Sequence, residues 1–158
     1  MAKMLPMEVQ RELVFRFKTV TVGKIPKMDE AERRIKQDIV CKMRAGATFC
    51  HGARASLYLI TLQKRFYDCM LAYDAHAAEN AFEEYKSVTQ SHLDSLLFDE
   101  ETFTSVALFS DANDAFIEHT KADDMAVTYG DAIRNTAEAM EEGLACLKML
   151  RRTCAMAI

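Results

Sequence analysis

Tryptophan is absent from this 158-residue chain, proline occurs only twice and glycine five times. So little turn punctuation excludes a sandwich or barrel, whose many short strands are separated by Gly- and Pro-rich turns. Long apolar runs are missing too: no stretch of eighteen consecutive apolar residues exists to make a transmembrane helix. The first residues, MAKMLPMEVQRELVFRF, are dotted with charges and lack the apolar centre of a secretory signal. Five cysteines, an odd number without paired spacing, do not form a disulfide framework. They read as free thiols of an intracellular protein, cytoplasmic or nuclear.

What is present favours helices. Half the residues are hydrophobic and 28% are charged, enough for a packed core. Ala, Leu, Met, Glu, Lys and Arg, all good helix formers, dominate. The expected fold is all-α: one domain over residues 1–158, a bundle of about five helices with a long C-terminal one.

The N-terminal stretch carries two patterns. Val9, Leu13 and Phe17 recur at helical spacing, whereas Val14 to Val22 is rich in β-branched and aromatic residues. The balance predicts a short helix over about 6–18 followed by an extended connection through TVTVGKIP, leaving residues 1–27 partly extended. Asp29 with Glu32 then resembles a capping box, and Ala31, Ile35, Ile39 and Met43 make one apolar stripe ending at Gly46. A helix over about 53–73 is apolar on nearly every side and is therefore expected to be central. Two more follow, over about 74–98 and 100–120, the latter with a break at Phe109–Asp111. The last runs from Thr120 to the chain end, with Met125, Tyr129, Ile133, Met140, Leu144 and Leu147 on one face. Its span of about 45–50 Å exceeds what a compact bundle needs, so it either kinks near Gly130 or Gly143 or projects toward a partner.

The net charge of −4 hides a partition. Residues 1–65 hold fourteen Lys/Arg against six Asp/Glu, a balance of +8, and the remainder balances at −12. Such asymmetry points to nucleic acid or to a charged protein partner. Lys27, Arg33, Arg34, Lys36, Lys42, Arg44, Arg54, Lys64 and Arg65 are the candidate anion-binding residues, provided that two antiparallel helices bring them to one face. Acidic and basic helices lying side by side would explain the same partition without any ligand.

Catalytic and metal chemistry find little support. In CKMRAGATFCHGAR, Cys41 and Cys50 are too far apart for a zinc pair, and Cys50 and His51, being adjacent, diverge by about 100° on a helix. None of the four histidines follows a carboxylate by three residues, which removes the di-iron pattern. The glycines fit neither phosphate-loop motif, although Gly46 and Gly52 beside Arg44 and Arg54 suit an anion contact as well as a helix cap. No catalytic residue, metal or cofactor is assigned. The expectation is a non-enzymatic helical protein that self-associates and binds the backbone of RNA or DNA through its basic half. The alternative is a protein–protein adaptor, or a subunit of a larger complex, without nucleic-acid contact. No membrane association is expected.

Overall fold

The computed structural model describes residues 4–46, 51–92, 103–113, 115 and 122–153. Among them are five helices and no strand: α1 (Met7–Arg44), α2 (His51–Leu71), α3 (Ala75–His92), α4 (Phe103–Ala112) and α5 (Ala122–Thr153). All five contribute buried side chains to one core, built around Ile35, Ile60, Phe66, Tyr85, Phe109, Tyr129 and Leu147. The all-α bundle with a long last helix is therefore what the chain forms.

The largest departure from expectation is α1. It runs without interruption through TVTVGKIP, so the partly extended stretch within residues 1–27 is helix from Met7 onward, following Pro6 in its extended N-cap conformation. Three local features make this tolerable. The hydroxyls of Thr19 and Thr21 donate to the carbonyls of Phe15 and Phe17, at 2.8 and 2.7 Å, which suits β-branched residues to a helix. Pro26 removes the bond to the Val22 carbonyl, and both residues lie on the exposed side of α1. Phe17, Thr21 and Met28 are buried, and that packing outweighs the strand propensity of the segment. Asp29 and Glu32, which resemble a cap in sequence, lie in mid-helix and instead hold Lys64 of α2.

Gly46 ends α1 with φ +100, as its position in the sequence suggests. The α2–α3 corner turns on Tyr73 at φ 55. There the Asp74 N–H donates to the Cys69 carbonyl and the Tyr73 N–H to that of Met70, a Schellman closure with tyrosine where glycine is usual. The Asp74 carboxylate then accepts from the Ala77 N–H and caps α3.

Helix α2 packs on all four others and is central, as its all-round apolarity implies. It runs antiparallel to α1, with Lys18 over the Tyr73 ring at one end and Arg54 beside Met43 at the other. Helix α5 is also antiparallel to α1, tied at its end by the Leu5 N–H to the Thr153 carbonyl. It is one unbroken helix of 32 residues, and α1 with 38 is longer still. The expected break at Phe109–Asp111 lies inside α4, which ends at Ala112. The Thr120 cap, Cys50 and His119 fall outside the described residues.

Candidate functional site

The nine cations do not converge. Helical rotation of about 100° per residue places Lys27 and Arg34 on one side of α1, Arg33 and Arg44 about 120° away, and Lys36 opposite Lys27. Several also have acidic partners within the bundle. Arg33 pairs with Glu30 at 2.8 Å and Lys36 with Glu32 at 3.5 Å. Lys64 lies 2.8 Å from Asp29 and 3.2 Å from Glu32. Its pKa is raised, chiefly by the hydrogen bond to Asp29; partial burial opposes the rise and Glu32 adds to it. Arg65 pairs with Glu84, which also accepts from the Tyr58 hydroxyl at 2.7 Å. These two donors, Tyr58 first, hold the Glu84 carboxyl below its ordinary value. Arg54 meets the Met43 sulfur at 3.9 Å, Lys42 is half-buried and Arg44 is exposed.

One row does form. Arg16, Lys27 and Arg34, spaced by eleven and seven residues, lie along the same side of α1. Lys27 and Arg34 border a 240 Å³ hollow against Leu108, Asp111 and Ala112 of α4. Glu30 and Asp111 share that hollow, so it is of mixed charge.

A second feature was not legible in the charge pattern. Between α1 and α5 lies a groove of 490 Å³, its sides formed by Leu13, Phe17 and Val20, its floor by Tyr67 and Met70, and its far wall by Ala139, Gly143 and Cys146. Arg16 and Lys24 stand on the α1 rim and Glu142 on the α5 rim. The groove exists because α5 presents small residues there. The spacing Ala139, Gly143, Cys146 is the sequence signal that could have found it.

The core also holds a buried polar cluster. The Gln63 side-chain amide donates to the Asn113 oxygen at 2.6 Å, the Thr136 hydroxyl donates to that same oxygen, and the Asn113 amide donates to the Phe109 carbonyl at 2.9 Å. The cluster fastens α2, α4 and α5 together but contains no titratable side chain, so it offers no acid–base chemistry. Nearby, Tyr129 meets Ser56 at 3.2 Å, and burial pushes its phenol up to about 12. Among the described residues the hydroxyls of Tyr73 and Ser110 are buried without a hydrogen-bond partner. Burial likewise raises the Cys69 thiol, making it less reactive.

Among the described residues no three His, Cys, Asp or Glu side chains assemble as metal ligands, and no helix is long and apolar enough to cross a membrane. Compared with family profiles, curated proteins and solved structures, the chain finds no match in any of the three.

Proposed function

We propose that the chain is a non-enzymatic binding protein that works by association, and that it self-associates through the solvent side of α1. The observation that carries this is an apolar row on that helix. Phe15, Val22 and Val40, spaced by seven and eighteen residues, lie on one side, exposed by 70%, 50% and 46%. Pro26 lies close to the same line and is also exposed. From Phe15 to Val40 this row extends for about 38 Å along α1, long enough for pairing with a second helix. The free thiols Cys41 and Cys69 agree with a reducing, intracellular setting.

Light scattering over a concentration series tests the proposal. Wild type rises above monomer mass with concentration, and the double variant Phe15→Ser, Val22→Ser stays monomeric with an unchanged far-UV spectrum. A wild type that remains monomeric throughout overturns self-association.

The row Arg16, Lys27, Arg34 supports a second reading, in which the basic side of α1 contacts nucleic-acid backbone. Binding through so few cations is weak and steeply salt-dependent. Fluorescence anisotropy with generic RNA and duplex DNA at about 50 and 200 mM salt checks it. Lys27→Glu with Arg34→Glu should abolish whatever binding is seen at the lower salt.

A further inference from the structure

We propose that the groove between α1 and α5 receives the exposed ridge of α1 from a second copy, so that copies join head to tail. This rests on the reading that the chain self-associates through Phe15 and Val22, and it names the surface those side chains enter. One helix carries both a projection and a recess. The projection is Phe15 and Val22, exposed on the solvent side of α1. The recess is the 490 Å³ groove, whose carbon surface comes mainly from Leu13, Phe17, Val20 and Met70. Their lengths match. Phe15 and Val22 lie about 10 Å apart along the helix axis, and the groove follows α1 from Leu13 to Lys24 for about 16 Å. Its α5 wall is lined by Ala139 and Gly143, small residues that let another helix approach closely.

The placement of the two features decides the symmetry. Phe15 and Val22 face about opposite to the groove around α1. Two copies therefore cannot exchange ridges across a single two-fold contact, because a copy whose ridge is seated has its own groove turned away. That open groove takes a further copy, and growth continues until it closes as a ring or runs on as a filament. Charge favours one direction for the incoming helix. Arg11 flanks the ridge on one side and Glu8 on the other, both exposed. The groove has Glu142 on its α5 rim and the cations Arg16 and Lys24 on its α1 rim. Arg16 is held by Glu12 at 2.6 Å and Lys24 is engaged within the chain, so the orienting contact is Arg11 with Glu142. Only one of the two directions of the incoming helix brings that pair together. Being exposed, the pair sets polarity more than strength. Burial of Phe15 and Val22 supplies the affinity.

Complementation between variants of the full chain tests this, with mass measured by analytical ultracentrifugation. The ridge variant is Phe15→Ser, Val22→Ser. The groove variant is Val20→Glu, which sets a charge in the groove about 150° around α1 from the ridge. All three positions are exposed, so both variants should keep the wild-type far-UV spectrum. Val20→Lys is a second groove variant and should act alike, because either charge loses its water there. Wild type should pass beyond the mass of two chains as concentration rises, and each variant alone should associate at least tenfold more weakly. Mixed in equal amounts, the two variants should form a complex of two chains and nothing larger, the intact ridge of one entering the intact groove of the other. Glu142→Lys should weaken association about threefold at about 50 mM salt, and adding Arg11→Glu to the same chain should restore it. A wild type that stops at two chains overturns the proposal while self-association stands. So does a groove variant that associates like wild type, or a mixture that stays monomeric where wild type does not. Failure of Arg11→Glu to restore Glu142→Lys overturns the assigned direction. A wild type that never associates overturns the self-association reading itself, and this inference with it.

Discussion

The two halves of α1 belong to one helix and live in different surroundings. From Met28 to Arg44 the helix is clamped between α2 and α4. Met28, Ala31 and Ile35 are buried, Asp29 and Glu32 hold Lys64, and the Asp38 carboxylate accepts from the Ser105 hydroxyl at 2.7 Å. From Met7 to Lys24 the same helix rests against α5 across an open groove, with Phe15 and Val20 largely in solvent. The second half is tied to its neighbours by polar contacts as well as by burial, whereas the first, held by buried Val14, Phe17 and Thr21, leaves Phe15, Val20 and Val22 as apolar surface that the fold does not consume. Surface of that kind on a rigid helix is where binding is to be sought.

The widest separation of the halves should come from truncating their aliphatic side chains. Ile35→Ala, at a fully buried site, is expected to cost about 2–5 kcal/mol in urea denaturation. Val20→Ala, at a residue 65% exposed, should change stability by no more than about 0.5 kcal/mol. Similar costs at the two positions would erase the distinction.

Next in size is the junction. Pro26 lies inside α1, where it withholds one hydrogen bond and strains the preceding turn. Pro26→Ala is expected to stabilise by about 1–3 kcal/mol, since the site is exposed and the helix already continues through it. A loss of stability would show that the backbone of α1 at this point favours proline.

This junction is also where the sequence misleads. Gly23, Pro26 and the run TVTV are sound local signals for an extended segment, and they lose to the burial of Phe17, Thr21 and Met28 against helices distant in the chain. The central helix was legible because its apolar residues cover nearly every side, and the C-terminal helix because its stripe persists for over twenty residues. A charge count over residues 1–65 contains no rotation about the helix axis, so it could not show Lys27 and Lys36 pointing apart. Nor could it show that Lys64 and Arg65 meet acids from other helices. The groove was hidden for a different reason: it is a space between α1 and α5, and only the small residues Ala139, Gly143 and Cys146 hint at it.

A smaller effect is expected beneath the open half. Tyr73 stacks on Phe17 with ring centroids 5.7 Å apart, and its buried hydroxyl has no hydrogen-bond partner among the described residues. Tyr73→Phe keeps the stack and removes an unsatisfied polar group, so it should stabilise by about 1 kcal/mol. Tyr129→Phe, which deletes the contact with Ser56, should cost about as much. If Tyr73→Phe is destabilising, the hydroxyl contributes a contact that this packing does not account for.

The smallest effect concerns pH and the clamped half alone. The pKa of Lys64 is raised in the folded chain, first by its hydrogen bond to Asp29. A raised lysine pKa means that the folded state holds its proton more tightly than the unfolded state. The stabilisation is therefore complete below the unfolded pKa, near 10.4, and is lost as pH rises through the higher folded value. With the Lys64 side chain 26% exposed and Asp29 55% exposed, solvent screening keeps the contribution below about 1 kcal/mol. Wild type and Lys64→Gln should thus differ slightly in urea midpoint at pH 8, and the difference should shrink as the pH is taken above 10. A difference that persists unchanged above pH 10 would mean that packing of the Lys64 stem, not its charge, supplies it.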